Sequence, residues 1–242
     1  MAKAPPAPAV AYGPHPEQVA NLHLPAGDGG PWPVVVLVHG GFWRQRWDRT
    51  TATPLARDLA ARGFAAWNLE YRRSVWPDTL LDVAAGIDAL EEQQAVDADR
   101  VVAVGHSAGG QLALGAARRT RVRLRAVVSL AGVLDLVAAA EARLGDGACQ
   151  AFLGGEPADV PDRYAAASPA ALLPLGVRQL LVHGSEDEIV PPSQSRAYAA
   201  AARAAGDEVE LVELAGADHF DVLEPLHPAW LEVVGRLPEL VG

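Results

Sequence analysis

The sequence predicts an α/β fold in which a doubly wound, mainly parallel β-sheet carries helices on both faces. Short apolar, β-branched runs alternate with amphipathic helical patterns along most of the chain. Continuous apolar runs are typical of strands buried on both faces, and their alternation with helices favours parallel pairing. The 242 residues, of which 50% are hydrophobic, suffice for one substantial core. We therefore expect a single domain over residues 1–242.

The predicted strands and helices follow one another in a regular order. A weakly alternating stretch at 19–24 indicates an edge strand that lies antiparallel against the sheet. The further strands are expected at 34–38, 64–69, 101–104, 125–130, 179–182 and 209–214. The helices are expected at 53–62, 78–94, 111–119, 192–205 and 228–237. The helix at 78–94 has a clear amphipathic pattern, because Leu80, Val83 and Ile87 recur at helical spacing.

Two stretches depart from this alternation. Residues 1–13 are rich in alanine and proline and predict a loose N-terminal arm rather than a folded element. Residues 133–174 contain short helical patches, glycines and prolines where the next strand and helix should follow. We interpret this segment as an insertion that forms a small cap or lid over the strand ends and selects which substrates enter.

The composition argues against several classes of function. The formal net charge of −10 disfavours binding to nucleic acid or to an anionic membrane through a basic surface. Cys149 is the only cysteine, so no intrachain disulfide can form. No run approaches the roughly 20 apolar residues of a membrane helix, and the N-terminus lacks the apolar core of a signal peptide. These features predict a soluble, cytoplasmic protein without membrane or nucleic-acid partners, and they do not indicate its oligomeric state.

The pentapeptide Gly-His-Ser-Ala-Gly at 105–109 lies between a predicted strand and a predicted helix. In this setting a Gly-x-Ser-x-Gly sequence forms a sharp turn that exposes the serine hydroxyl at the carboxyl end of a sheet. Gly105 and Gly109 lack a Cβ, which lets neighbouring backbones approach closely. The helix that follows points its N–H groups and its positive dipole end at whatever binds there. We therefore interpret Ser107 as a nucleophile; the alternative is a serine in an ordinary structural turn.

A serine hydroxyl needs a neighbouring base and an acid that orients this base. With a nucleophile on such a turn, these partners follow in the chain order serine, acid, histidine, each after a strand. Asp187 and His219 each follow a predicted strand in that order, and we take them as the acid and the base. His183, beside the acid loop, is the main rival for the base. The rivals for the acid are Glu186, Glu188 and Asp135, and the alternative role of Asp135 is to cap a helix.

Three motifs surround these residues: Gly-His-Ser-Ala-Gly-Gly at 105–110, Asp-Glu-Ile-Val-Pro at 187–191 and Asp-His-Phe at 218–220. They resemble the nucleophile turn, the acid loop and the histidine loop of α/β-hydrolases of the esterase and lipase type. This resemblance extends over nearly the whole chain. The loop His-Gly-Gly-Phe-Trp at 39–43 is similar to that of the kynurenine formamidase-like branch, which contains arylformamidases and carboxylesterases.

The resemblance implies the remaining parts of a hydrolytic site. The backbone N–H groups of Gly41, Phe42 and Ala108 would form an oxyanion hole, the set of donors that stabilises negative charge on the carbonyl oxygen. His39 would brace this loop rather than transfer protons. Nothing in the sequence calls for a cofactor or a metal ion, and we expect neither.

Aromatic residues on loops near this site are candidates for its walls. We expect Trp43, Trp76 and Phe220 to line the substrate pocket, beside Phe42. The predicted function is a serine hydrolase that cleaves a small ester or amide through an acyl-enzyme. By resemblance, the substrate is an aryl formamide such as N-formylkynurenine. The alternatives are a general short-chain carboxylesterase and, more remotely, a non-catalytic ligand-binding homologue of the same fold.

Overall fold

The computed structural model describes residues 7–73 and 76–242, which contain one eight-stranded β-sheet. The strands are β1 (Ala9–Ala11), β2 (Val19–His23), β3 (Trp32–Val38), β4 (Ala65–Leu69), β5 (Val96–His106), β6 (Leu124–Leu130), β7 (Arg178–Gly184) and β8 (Val209–Leu214). Their order across the sheet is β1-β2-β4-β3-β5-β6-β7-β8. β2 pairs antiparallel with β1 and β4, and the remaining strand pairs are parallel. The expected mainly parallel sheet with an antiparallel edge is confirmed.

Helices flank this sheet on both faces. They are α1 (Thr53–Ala61), α2 (Asp78–Asp88), α3 (Ala108–Ala116), α4 (Leu136–Glu141), α5 (Leu144–Leu153), α6 (Pro161–Ala167), α7 (Ser193–Ala204) and α8 (Pro228–Leu240). Short 3₁₀ turns occupy Arg49–Ala52, Ala89–Glu92, Pro169–Leu172 and Asp221–Leu223. Within the described ranges, no helix combines the length and apolar character that spanning a membrane requires.

The pleat of the central strands divides the core into two layers. Along β3, Val34, Val36 and Val38 point into the layer that contains α2, α3 and α7. Val35 and Leu37 point into the layer that contains α1 and α8. Because successive side chains of a strand face opposite sides, a strand buried on both faces must be apolar at every position. This is the physical reason for the continuous apolar runs in the sequence.

The N-terminal arm contains a strand that was not expected. Residues 1–6 of the arm lie outside the described residues, but Ala9–Ala11 forms β1 and pairs antiparallel with β2. The Tyr12 hydroxyl then donates a hydrogen bond to the Glu70 carbonyl oxygen at 2.5 Å. The prediction of a loose segment is therefore wrong for residues 9–12, because a neighbouring strand edge, which is remote in sequence, supplies the missing partners.

The interrupted region at 133–174 lies between β6 and β7 and contains α4, α5, α6 and one 3₁₀ turn. α4 begins at an N-cap in which the Asp135 carboxylate accepts hydrogen bonds from the N–H groups of Val137 and Ala138. Phe152 of α5 is buried among aromatic residues of the loop that follows β3. The segment thus packs on one end of the sheet beside that loop.

Candidate active site

Ser107 lies on a sharp turn between β5 and α3. Its φ of 54° is unusual for a residue other than glycine and stores backbone strain. The two glycines of the turn are required by close backbone contacts, since a Cβ on Gly105 would lie 2.1 Å from the Gly109 carbonyl oxygen. The turn is held in place because the Ser107 N–H donates to the Leu130 carbonyl oxygen at 2.8 Å. The predicted strand–turn–helix geometry is present.

Asp187 and His219 meet across the loops that follow β7 and β8. His219 Nδ1 lies 2.6 Å from Asp187 Oδ2, and Asp187 Oδ1 accepts hydrogen bonds from the N–H groups of Ile189 and Val190. Burial by itself would raise the pKa of Asp187, but hydrogen bonds from His183 and His219 outweigh it and hold the pKa well below its usual range. The carboxylate is therefore ionised and can orient the His219 imidazole.

Ser107 and His219 line the same cavity, which has a volume of about 320 Å³. Among the described residues, neither Ser107 Oγ nor His219 Nε2 has a hydrogen-bond partner, so both atoms remain available to a bound molecule. His106 donates from Nε2 to the His219 carbonyl oxygen at 3.0 Å. Burial, reinforced by the charge of His219, lowers the pKa of His106 to about 3, so this second imidazole stays neutral.

The rival residues do not line this cavity. His183 is completely buried, and its Nε2 lies 3.2 Å from Asp187 Oδ2, the oxygen that His219 Nδ1 contacts at 2.6 Å. Asp135 caps α4, as its alternative interpretation expects. In the ranges that the structure describes, no group of three His, Cys, Asp or Glu side chains is placed to hold a metal ion.

The loop after β3 turns through three consecutive residues with positive φ: Gly41 (115°), Phe42 (50°) and Trp43 (56°). Gly41 and Phe42 line the cavity, and Ala108, the first residue of α3, directly follows Ser107. In the described part of the chain, the N–H groups of Gly41, Phe42 and Ala108 donate to no carbonyl or side-chain acceptor. These three predicted donors therefore remain free beside the serine.

His39, at the start of this loop, is fixed by contacts with residues that follow β4. Its Nε2 lies 2.9 Å from Glu70 Oε1, and its ring stacks on Tyr71 with the ring centres 4.3 Å apart. The Tyr71 hydroxyl also donates to the His39 carbonyl oxygen at 2.5 Å. Glu70 is in turn bonded to the Arg73 guanidinium at 2.6 Å. His39 lies outside the cavity, in a position consistent with the bracing role that the resemblance implies.

One of the three aromatic residues predicted for the pocket is in the cavity wall. Phe220 lines it and is 47% exposed. Trp43 and Trp76 do not line it, which corrects the prediction. Trp43 is buried, stacks on Phe152 at 4.5 Å and donates from Nε1 to Gln111 Oε1 at 3.0 Å. Trp76 meets the same Phe152 ring edge-on at 6.1 Å. Both indoles therefore pack against Phe152, which belongs to the segment after β6, instead of lining the cavity.

Several wall residues were missed from the sequence. The further apolar side chains in the wall are Trp47, Pro54, Ile189 and Leu223. Trp47 covers Gly41 so closely that a Cβ on this glycine would lie 2.4 Å from the Trp47 Cβ. Arg46 and Glu224 add one charge of each sign to the wall. The only sequence signal was that Arg46 and Trp47 follow the glycine loop, and the path of that loop decides which of its aromatic residues faces inward.

The segment 133–174 contacts the loop at 39–43 from the side away from the cavity. The Arg44 guanidinium donates to the Gly145 carbonyl oxygen, and the Phe42 ring lies directly against Gly145. All residues that line the cavity come from other parts of the described chain, at 40–54, 106–107, 189 and 219–224. The segment therefore contributes no residue to the wall of this cavity, and its role as a lid stays a prediction.

The strand order, the strained serine after β5 and the acid and histidine after β7 and β8 define the fold of an α/β-hydrolase. The solved structure of the esterase Est2 from Thermogutta terrifontis shares this fold with a TM-score of 0.77. That superposition covers 97% of this chain and 91% of the other, at 24% sequence identity. The chain belongs to the BD-FAE family, whose model matches residues 20–201.

Curated relatives include the esterase LipQ of Mycobacterium tuberculosis, which is 31% identical over 78% of this chain. A probable isoprenylcysteine alpha-carbonyl methylesterase of Arabidopsis thaliana, ICMEL2, is 27% identical over 96% of this chain. The chain spans 51% and 62%, respectively, of the lengths of these two proteins. The similarity supports an esterase-type α/β-hydrolase, whereas the kynurenine formamidase-like branch stays a prediction.

Proposed function

We propose that this protein is a serine hydrolase of the carboxylesterase type that cleaves a small ester through an acyl-enzyme. The observation that carries this proposal is the 2.6 Å contact between His219 Nδ1 and Asp187 Oδ2, in a site whose cavity is also lined by Ser107 on its strained turn. Membership of the BD-FAE family and the esterase names of LipQ and ICMEL2 favour an ester as the substrate over a formamide.

In the first half of this reaction, Ser107 Oγ attacks the ester carbonyl carbon while His219 Nε2 accepts the hydroxyl proton. Asp187 keeps the other ring nitrogen protonated and stabilises the imidazolium that forms. The N–H groups of Gly41, Phe42 and Ala108 stabilise the oxyanion, and each such donor typically contributes about 3 kcal/mol. The tetrahedral intermediate collapses when the bond to the alcohol breaks and His219 returns the proton to the leaving oxygen.

In the second half, water replaces the alcohol. His219 Nε2 takes a proton from this water, whose oxygen attacks the acyl carbon of the Ser107 ester. The second tetrahedral intermediate expels Ser107 Oγ, which recovers its proton from His219, and the carboxylic acid leaves. No redox change occurs and no atom beyond ester and water is needed, so these residues complete the cycle on their own.

The cavity favours a small substrate with an apolar part. Its volume of about 320 Å³ is at the lower end of the range of ligand pockets. Trp47, Phe220, Ile189 and Leu223 form apolar walls, and Phe42 lies at the oxyanion side. A short acyl chain and a compact alcohol would fill this space.

The direct test is hydrolysis of p-nitrophenyl acetate by the purified protein and by Ser107→Ala. We expect turnover by the native protein, loss of at least about 10³-fold in kcat in the variant, and labelling of Ser107 by a fluorophosphonate at one equivalent per chain. Unchanged turnover in the variant would refute the proposal. A protein that takes up no fluorophosphonate and hydrolyses no ester would instead be a non-catalytic ligand-binding homologue.

An aryl formamide such as N-formylkynurenine is the second candidate substrate. The aromatic walls contributed by Trp47 and Phe220 suit an aryl leaving group, and a formyl group needs almost no acyl pocket. Arg46 lines the cavity, whereas Arg44, Arg72 and Arg73 are engaged by other described groups, so Arg46 would face a carboxylate. Rates on N-formylkynurenine and p-nitrophenyl acetate separate the candidates, since a carboxylesterase is expected to act on the second compound alone.

A further inference from the structure

His183 is a buried histidine for which the proposed reaction has no role. It lies on β7, four residues before Asp187, and its side chain has no exposed surface. Nδ1 lies 2.7 Å from Ser195 Oγ on α7, while Nε2 lies 2.8 Å from the Val190 carbonyl oxygen. Nε2 also lies 3.2 Å from Asp187 Oδ2. Both ring nitrogens are therefore engaged, and one of them contacts the acid of the site.

These partners determine where the ring carries its hydrogen. A carbonyl oxygen and an ionised carboxylate can only accept, so the hydrogen must lie on Nε2. Nδ1 is then an acceptor and receives the Ser195 hydroxyl hydrogen. This neutral tautomer satisfies both nitrogens without placing a further charge in the interior. The Nε2–H group of His183 therefore donates to the Val190 carbonyl oxygen of the acid loop and lies beside Asp187 Oδ2.

The Asp187 carboxylate accepts three hydrogen bonds and has the His183 ring as a further close neighbour. Oδ1 receives the backbone N–H groups of Ile189 and Val190, and Oδ2 receives the Nδ1–H group of His219 at 2.6 Å. His183 Nε2 lies 3.2 Å from the same Oδ2. The two histidines share one oxygen. Its negative charge is therefore divided between the base, His219, and a second ring that takes no part in proton transfer. His106 also lies near, with its ring 4.7 Å from that of His219, but it bonds to a carbonyl oxygen instead.

We propose that His183 is a positioning residue, which holds the Asp187 carboxylate in register with His219 Nδ1 and shares the charge on Oδ2 with it. This inference rests on the proposed function, in which Asp187 and His219 act on Ser107. Without the His183 ring, Oδ2 loses this neighbour and the acid loop loses its contact at the Val190 carbonyl oxygen, so the carboxylate is held less firmly against His219 Nδ1.

The test compares kcat and KM of three variants on p-nitrophenyl acetate near pH 7.5. His183→Leu removes the N–H group, and His183→Gln keeps an amide N–H at about the position of Nε2. Leu181→Ala is the matched control, because Leu181 is buried on the same face of β7 and contacts the core instead of Asp187. All three variants perturb the interior, whereas His183→Leu and His183→Gln differ in the N–H group beside Oδ2 and the Val190 carbonyl oxygen.

We expect His183→Leu to lower kcat by about 10- to 100-fold with KM little changed. His183→Gln should recover most of this loss. Leu181→Ala should lower the melting temperature and leave kcat near its native value. A near-native kcat in His183→Leu, or an equal loss of kcat in Leu181→Ala, would overturn the proposal.

A second measurement does not depend on turnover. In ¹⁵N-histidine-labelled native protein near pH 7.5, the ring nitrogens of His183 should show a proton on Nε2 and none on Nδ1. A proton on Nδ1 would overturn the inference even if the ester is hydrolysed. Failure of the proposed function would be distinguished by unchanged hydrolysis in Ser107→Ala, whatever the tautomer of His183.

Discussion

Replacing Asp187 by asparagine tests the electrostatic arrangement of the site with almost no change in volume. The carboxylate accepts two backbone N–H groups on Oδ1 and the His219 Nδ1–H group on Oδ2, and it is only 5% exposed. An asparagine side chain offers one oxygen and one NH₂ group. Whichever way the amide is turned, its NH₂ group faces at least one donor and cannot accept from it.

The two orientations have different consequences for His219. If the NH₂ group replaces Oδ2, it faces His219 Nδ1, which must then lose its hydrogen and carry it on Nε2 instead. A histidine protonated on Nε2 cannot accept the Ser107 proton. If the NH₂ group replaces Oδ1, it opposes the N–H groups of Ile189 and Val190, and this conflict displaces the loop.

We therefore expect Asp187→Asn to lower kcat by about 10⁴-fold, the loss that the equivalent change causes in a serine protease, which corresponds to about 5 kcal/mol of transition-state stabilisation. The assay is steady-state hydrolysis of p-nitrophenyl acetate near pH 7.5, with circular dichroism to verify folding. Glu186→Gln is the matched control, because this neighbouring carboxylate is exposed, and it should retain native activity. A loss of less than tenfold in Asp187→Asn would refute the assignment of the acid.

Three further predictions concern stability and specificity. The buried His106 has a folded pKa of about 3 against about 6.5 when unfolded, so the unfolded chain binds the extra proton and stability falls as the pH drops from 6.5 towards 3. The free energy of unfolding of His106→Gln, which keeps an N–H donor, should therefore fall by about 2–3 kcal/mol less than that of the native protein between pH 7.5 and pH 4.5. Urea unfolding measures this difference, and an identical fall in both proteins would contradict the prediction. Gly105→Ala should lower the free energy of unfolding by about 3 kcal/mol or more, because the new Cβ would lie 2.1 Å from a backbone oxygen. Gly235→Ala on α8, where nothing lies within 4 Å of the new Cβ, should raise it by up to about 1 kcal/mol. Equal melting temperatures would refute that contrast. Trp47→Ala removes an indole from the cavity wall and should raise kcat/KM for p-nitrophenyl benzoate relative to the acetate by about tenfold. Trp43→Phe should leave this ratio unchanged. It should destabilise the fold by about 1–3 kcal/mol, since Gln111 Oε1 loses its donor. A changed ratio in Trp43→Phe would show that this indole does reach the substrate.

The sequence predicted the order of the sheet elements well and their limits less well. β8 spans the predicted residues. No end differs from its predicted position by more than two residues in β3, β4, β6, β7 and α1. β5 begins at Val96, five residues before the predicted start, because its polar first residues pair with the beginning of β3 at the sheet end. Polar residues of this kind carry no strand pattern of their own, and only the neighbouring strand makes them part of the sheet.

Ser107, Asp187 and His219 could be proposed from sequence alone because each belongs to a local pattern. The serine needs a tight turn with glycines, and the acid and the histidine each need a loop after a parallel strand. Parallel strands bring such loops to the same edge of the sheet. The order of these residues along the chain was therefore sufficient to predict that the acid and the histidine lie in contact. The free N–H groups of the glycine loop follow from local backbone geometry in the same way.

The walls of the cavity and the contact of His183 with Asp187 were decided by tertiary structure only. Trp43 and Trp47 are both tryptophans of one loop, and the packing of Phe152 buries the first while the second faces the cavity. His183 has no local pattern that reveals its contact with the acid, because that contact depends on the path of the loop after β7. The residues of the proposed reaction lie in short motifs that can be recognised locally, whereas the shape of the cavity depends on contacts between segments far apart in the chain, which no local pattern records.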